Sequence, residues 1–136
     1  MRPYRGLTKE GKWVYGSHAE VDGKHYIIPK EAKTGLLEGM TFYDLGIYPF
    51  TEVIPETVGQ FTDLHDKNRT EIADGDIFKS EDRVSRFIII WSNGSFRGKY
   101  PHSGGDGFHF DSFEALRGKI IGNIHTTPEL LEQDNE

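Results

Sequence analysis

The sequence contains no cysteine, which excludes structural disulfides and a thiol nucleophile from the chemistry of this protein. Long apolar runs are also missing, because no stretch approaches the ~18 consecutive apolar residues that a membrane-spanning helix requires. The first six residues, Met1–Gly6, lead into polar residues rather than into the apolar core of a signal peptide. We therefore expect a cytoplasmic protein that has no membrane partner.

The sequence also lacks clusters of basic residues. The chain has a net charge of −6, but residues 129–136 hold four acids and no base, so residues 1–128 carry only −2. Binding to nucleic acid needs clustered Lys and Arg. The most closely spaced basic residues are Arg83, Arg86, Arg97 and Lys99, and they do not form a continuous run. We expect no nucleic-acid partner, and keep as the alternative a nucleic-acid-associated accessory factor that uses an Arg83–Lys99 face.

Aromatic residues and glycines are abundant by contrast, with 9 Phe, 6 Tyr, 2 Trp and 16 Gly. Each aromatic side chain buries ~150–250 Å², so a core can form from few positions. Two pairs, Asp22-Gly23 and Asn93-Gly94, each separate two β-rich segments, and such pairs favour a two-residue hairpin turn. Residues 87–91 are continuously apolar, which is typical of a strand buried on both faces.

The remaining segments predict further short strands, about eight in all. These strands fall at 50–54, 57–62 and 119–125, with tight reversals at 66–69 and 74–76. Tight turns between strands favour antiparallel pairing. The predicted fold class is therefore mainly β, a small antiparallel barrel or sandwich that is SH3-like in its C-terminal half.

Two or three short helices are predicted among these strands. Asp111 is a candidate N-cap with Glu114 three residues later, and Gly118 is a candidate left-handed residue at the C-terminal end. A second helical turn begins at Thr127-Pro128. Residues 30–50 are predicted to form an irregular excursion, because glycines interrupt any longer pattern.

The richest cluster of candidate metal ligands lies in a glycine-rich loop that holds His102, Asp106, His109 and Asp111. Imidazole and carboxylate groups suit divalent transition metals, but ordering a loose set of ligands costs conformational entropy. The sequence has no nucleophile elbow, phosphate loop or dinucleotide fingerprint. We therefore expect no metal, no cofactor and no catalytic residue, with a metal-dependent hydrolase centred on His102–Asp111 as a weaker alternative.

Several segments resemble the YopX-like proteins of bacteriophages and prophages. The segments that carry the similarity are Gly11–Gly16, Tyr26–Pro29, Val53–Thr62, Glu71–Ile77 and Ile121–His125. The resemblance implies a β-rich, phage-encoded protein that self-associates and has no assigned enzymatic activity or cofactor. The residues that match the family signature, to which no chemistry is attached, are Thr57, Gly59, Gln60, Gly75 and Asp76.

These signature residues have a structural interpretation. Gly59 predicts a β-bulge, Gly75 the apex of a turn, and Asp76 a hydrogen bond to local backbone. Asp63 and Arg69 occupy places where the family usually has glycine. Arg69 leaves the type of turn after Asn68 open, although Asn68 can itself adopt left-handed backbone.

The sequence thus predicts a non-enzymatic interaction module that acts in the cytoplasm of a bacterial host. Its expected partners are further copies of itself and an unknown phage or host protein. The candidates for self-association are Phe87, Ile89 and Trp91, because an apolar strand of this kind needs cover. The chain is predicted as one β-rich domain over 1–136, or as two lobes, 1–55 and 56–128, with an acidic tail at 129–136.

Overall fold

A computed structural model describes residues 3–29 and 50–132 of the chain. The chain divides into two compact units, Pro3–Gly59 and Gln60–Glu136. The protein is mainly β, and its strands form two antiparallel sheets with few helices, which confirms the predicted fold class. Within these described residues neither sheet closes into a barrel, so the barrel alternative and its SH3-like variant are wrong and the sandwich alternative is right.

In its described residues, 3–29 and 50–59, the first unit contains four strands followed by a 3-10 helix at Pro55–Thr57. The strands are β1 Tyr4–Leu7, β2 Trp13–Val21, β3 Lys24–Pro29 and β4 Thr51–Val53, in the sheet order β4-β3-β2-β1. β2 and β3 form the predicted hairpin, and its turn residues Asp22 and Gly23 have φ of 52° and 82°. The irregular excursion predicted for residues 30–50 lies outside the described residues except for Phe50.

The second unit contains the remaining strands and the α-helix. They are β5 Gly59–His65, β6 Glu71–Ala73, β7 Asp76–Ser80, β8 Phe87–Ser92, β9 Ser95–Lys99, β10 Phe108–His109, α1 Ser112–Leu116 and β11 Gly118–Asn123. A 3-10 helix, Pro128–Glu132, follows at the predicted second helical turn. β5 pairs with β6, and the other strands form a five-stranded sheet in the order β10-β9-β8-β7-β11. β8 and β9 form the predicted Asn93-Gly94 hairpin, with φ of 51° and 82° at the turn.

The core of the second unit covers one face of this five-stranded sheet. Phe78, Phe87 and Ile89 are fully buried there, and Ile72 of β6 packs against them from the neighbouring strand pair. Phe78 and Phe110 meet edge to face with their ring centroids 5.1 Å apart, a geometry that aromatic pairs prefer. Aromatic rings therefore supply most of the bulk of this core.

Strand β8 differs from its prediction as a strand buried on both faces. Phe87 and Ile89 are fully buried, whereas Ile88 and Ile90 are only half-buried. Successive side chains of a strand point to opposite faces of the sheet, so a continuous apolar run does not show how well each face is covered. The second face of the sheet carries the half-buried isoleucines.

Two glycines have roles other than those predicted. Gly118 does not end α1 in a left-handed conformation; Arg117 is the C-cap, with φ −93°, and Gly118 begins β11. A Cβ at Gly118 would collide with the carbonyl oxygen of Lys79, so close pairing with β7 requires the glycine. The irregularity in β5 lies between Phe61 and His65 rather than at Gly59.

The two departures from the family's glycine pattern both have left-handed backbone. Asp63, within the irregular part of β5, and Arg69, in the turn between β5 and β6, each have φ of 67°. Arg69, not Asn68, is therefore the left-handed residue of that turn. A Cβ in this region approaches a carbonyl oxygen at a cost of roughly 1–2 kcal/mol, which glycine avoids.

We predict that Arg69→Gly stabilises the protein by about 0.5–1 kcal/mol. The relief of left-handed strain exceeds the extra backbone entropy that glycine brings to the unfolded chain. Urea unfolding measures the change as a shift in midpoint at constant slope. Asn68→Gly is the matched control, since the adjacent residue is also exposed but has no strain to relieve, and it should destabilise. A lower midpoint for Arg69→Gly would contradict the prediction.

Candidate functional site

Thr57, the first signature residue, joins two parts of the first unit. Its buried hydroxyl accepts a hydrogen bond from the Leu7 N–H at 2.8 Å and donates one to the Ile54 carbonyl at 2.6 Å. Thr57 lies in the 3-10 helix rather than in the strand predicted at 57–62. Its hydroxyl therefore connects the end of β1 to the segment that follows β4.

Gly75 and Asp76, two further signature residues, build the tight turn between β6 and β7. Gly75 has φ of 96° at the predicted apex, and its N–H donates to the Ile89 carbonyl at 2.7 Å. The buried Asp76 carboxylate accepts from the Ala73 N–H at 2.8 Å, which confirms the predicted hydrogen bond to local backbone. Together these contacts join the turn to β8 in the middle of the sheet.

The other two signature residues lie at the start of β5. Gly59 is buried and is the first residue of the strand, and the Gln60 carbonyl accepts from the Asp74 N–H at 3.0 Å. The contacts that the structure gives the five signature residues are thus largely contacts to backbone. These contacts support the sheets.

The Asp66 carboxylate accepts three hydrogen bonds from backbone N–H groups. The sequence predicted only that Asp66 lies in a turn. Its buried carboxylate accepts from the backbone N–H groups of Asn68, Thr70 and Ile120 at 2.8, 2.9 and 2.9 Å. The first two bonds close the turn after β5, and the third reaches β11. The sequence signal for such a role is a short Asx-type turn, which an aspartate followed by a polar residue favours.

Arg83 belongs to the Arg83–Lys99 face that was considered for nucleic-acid binding. In the structure its side chain makes contacts within the second unit. Its guanidinium makes a two-bond pair with the Glu114 carboxylate at 3.0 and 3.2 Å and donates to the Tyr100 hydroxyl at 3.0 Å. It also lies over the Phe108 ring, 3.6 Å from the centroid. The hydrogen bond to Glu114 raises the pKa of Arg83 above its ordinary value. Arg83 therefore holds α1 in place.

The candidate metal ligands of the glycine-rich loop make other contacts in the structure. Asp111 is the N-cap of α1 and accepts from the Glu114 N–H at 3.1 Å, as predicted. Asp106 accepts from the Asn93 side chain at 2.6 Å, and His109 lies opposite Arg97 in the sheet. Among residues 3–29 and 50–132, no group of three or more His, Asp or Glu residues is placed to hold a metal ion.

A pair of histidines on β2 and β3 was not recognised in the sequence. His18 Nε2 and His25 Nδ1 are hydrogen-bonded at 2.8 Å, and the rings stack with centroids 5.0 Å apart. Burial lowers the pKa of His18, and the nearby His25 lowers it further, while Glu20 opposes the shift. The hairpin register brings them together, because His25 pairs with Glu20, two residues beyond His18.

The three candidates for self-association differ in exposure. Phe87 and Ile89 are fully buried in the core, whereas Trp91 is 46% exposed and packs edge to face on Phe96. Two more exposed side chains, Phe113 at 66% and Leu116 at 62%, lie on α1 and were not predicted. Their spacing of three residues along a helix is the sequence signal that they share a face.

This geometry defines a class of small, mainly β proteins whose sheets are joined by buried side-chain contacts to backbone. The sequence model of the YopX protein family matches residues 3–132, and the chain belongs to that family. No curated protein matches the chain. Within the described residues, no helix is long and apolar enough to cross a membrane.

We predict that Thr57→Val destabilises the protein by about 2–4 kcal/mol, because it leaves the Leu7 N–H without its buried acceptor and places a methyl group against the Ile54 carbonyl. Thermal and urea unfolding measure the loss. Thr57→Ser is the control, since it keeps the hydroxyl and should retain most of the stability. A stability of Thr57→Val at or above that of Thr57→Ser would contradict the role assigned to the hydroxyl.

A second prediction concerns the pH dependence of stability. Because the pKa of His18 is lower in the folded state than its ordinary 6.5, the unfolded state binds more protons between the two values. The free energy of unfolding should therefore fall as the pH is lowered from about 7 through the folded pKa. His18→Gln should flatten this part of the profile, whereas His102→Gln, at an exposed loop position, should leave it unchanged. A profile as steep as that of the wild type in His18→Gln would contradict the assignment.

Proposed function

We propose that this protein is a non-enzymatic interaction module that self-associates through protein–protein contacts. We further propose that it is encoded by a phage or prophage and acts in the cytoplasm of the bacterial host. Its membership of the YopX family supports this proposal, because the resemblance to that family implies a phage-encoded, self-associating protein without an assigned enzymatic activity. The backbone contacts of the signature residues are also in keeping with a binding role rather than a catalytic one.

The observation that carries the proposal is the outward face of α1. Phe113 and Leu116 are exposed at 66% and 62%, while Ala115 of the same helix is fully buried. Large apolar side chains three residues apart on a helix lie side by side. Exposed apolar patches of this kind mark sites of protein–protein contact more often than scattered single residues do.

The helix that presents this patch is held firmly to the second unit. Arg83 pairs with Glu114, and Arg117 pairs with the Asp82 carboxylate through two hydrogen bonds at 2.7 and 2.8 Å. Two-bond arginine–carboxylate pairs restrict orientation as well as distance. A patch on a fixed helix loses little conformational entropy when a partner binds, which favours association.

Phe87 and Ile89 are buried, so they cannot contact a partner directly. β8 lies between β7 and β9, so the strand is not an edge that could pair with another chain. Phe87 and Ile89 support the interface from within the core. Trp91 remains exposed, and tryptophan is among the residues that contribute most when buried in an interface.

We predict that Phe113→Ser/Leu116→Ser shifts the protein to its monomer mass, because it removes the apolar surface that a second copy would bury. Size exclusion with light scattering across the micromolar range measures the mass, and unfolding curves check that the variant is folded. Val21→Ser is the control, since Val21 is also exposed, at 57%, but lies on β2 of the first unit.

Two results would count against self-association through α1. A wild-type mass that stays near 15.5 kDa at every concentration would refute self-association itself. A larger species that survives in Phe113→Ser/Leu116→Ser but dissociates in Trp91→Ala would move the interface to Trp91 and refute the role of α1.

A further inference from the structure

The two histidines His18 and His25 occupy one face of the hairpin that β2 and β3 form. Glu20 lies opposite His25, and His18 lies opposite Ile27, so the two histidines are diagonal neighbours across the strands. Residues two apart on a strand share a face, and diagonal neighbours are within reach of each other when their side chains are long. The Asp22-Gly23 turn fixes this register. The pair is therefore held by two strands of a defined hairpin rather than by a loop.

The two nitrogens that face each other are as close as two ligands of one metal ion. His18 Nε2 and His25 Nδ1 are 2.8 Å apart, while the ring centroids are 5.0 Å apart and the ring planes differ by 9°. Two imidazole nitrogens at right angles around an ion, each ~2.0–2.1 Å from it, are about 2.9 Å apart. A rotation of the rings that turns both lone pairs toward one point is then sufficient to admit an ion.

The remaining nitrogen of His25 faces a carboxylate. His25 Nε2 is 3.9 Å from Glu20 Oε2. A neutral imidazole that gives one nitrogen to a metal carries its proton on the other, and metal-bound histidines characteristically donate that N–H to a carboxylate or a carbonyl. Glu20 is therefore placed to hold His25 in the tautomer in which Nδ1 is free to bind an ion.

The charge around the pair favours a cation. Among the described residues of strands β1 to β4, the face that carries the pair holds one carboxylate, that of Glu20, and no lysine or arginine. Lys24 and Arg5 are one residue out of phase with His25 and Tyr4 and belong to the opposite face. The Tyr4 ring packs beside His18, with centroids 5.3 Å apart. The His25 side chain is 21% exposed, so solvent reaches the pair.

We propose that His18 Nε2 and His25 Nδ1 bind a divalent transition-metal ion as two adjacent ligands. Imidazole suits Cu²⁺, Ni²⁺ and Zn²⁺, and Cu²⁺ binds most tightly of the three. Within residues 3–29 and 50–132 no group of three or more His, Asp or Glu residues is placed to hold a metal ion, so water completes the coordination and the ion exchanges readily. The site lies in the first unit, on other strands than the loop of His102 and Asp111 that the sequence brought to attention.

Electron paramagnetic resonance of the full chain with an equimolar amount of Cu²⁺ tests the proposal, because nitrogen hyperfine splitting counts the nitrogen ligands. The wild type should show two nitrogens, and Zn²⁺ should compete only in excess. His25→Gln should show one nitrogen, and His18→Gln/His25→Gln should lose the signal of the bound ion. Glu20→Gln should keep two nitrogens but bind roughly tenfold more weakly. Unfolding curves confirm that each variant is folded.

The matched control is His102→Gln/His109→Gln, which removes two exposed histidines from the second unit. It should bind Cu²⁺ as the wild type does, and an equal loss in this variant would refute the pair as the site. A two-nitrogen signal that survives in His18→Gln/His25→Gln, or its absence from the wild type, would refute the proposal outright. Thermal unfolding adds a second readout: Zn²⁺ should raise the Tm of the wild type but not that of His25→Gln. An equal rise with Mg²⁺, which prefers oxygen ligands, would refute binding through imidazole.

Discussion

The buried carboxylate of Asp66 is the contact on which the arrangement of the second unit depends. It closes the turn between β5 and β6 through two backbone N–H groups and reaches Ile120 of β11 with its other oxygen. Hydrogen bonds to charged groups contribute about 1.5–3 kcal/mol each, and a buried carboxylate without partners is costly. The Lys67 N–H adds a bond to the Gly118 carbonyl at 3.0 Å beside it. The turn and the edge strand β11 are therefore positioned together.

The five-stranded sheet to which β11 belongs has two different faces. One face is packed with aromatic rings and includes Phe78 and Phe87. The other carries the cations and the half-buried isoleucines 88 and 90. The two-residue period of the strands produces this division, because Phe78, Phe87 and Phe96 occupy one phase, whereas the lysines and arginines share the other phase with isoleucines 77, 88 and 90. α1 then adds a separate apolar patch, so charge and exposed apolar surface occur at different places in the unit.

Much of the local structure could be predicted from the sequence. Asp22-Gly23 and Asn93-Gly94 specify their hairpins because few residues tolerate positive φ at both positions of a two-residue turn. Asp111 specifies the start of α1 because its side chain caps an N–H three residues away. The contacts that were missed are distant in sequence. Thr57 and Leu7 are separated by 50 residues, and Asp66 and Ile120 by 54, so no local pattern reveals either pair.

The sequence by itself determined the mainly β class, the hairpin turns and the family to which the chain belongs, because each depends on short-range backbone preferences or on the order of residues. Only the tertiary structure decided which residues are surface and which are core. The apolar run in β8 did not reveal that Phe87 and Ile89 are buried while Trp91 is exposed. The sequence likewise did not reveal that residues 79, 97, 99 and 119 share one face of the five-stranded sheet, because strand order and register bring them there. Burial and local charge depend on what packs across the sheet, and that is set by contacts between segments far apart in the chain.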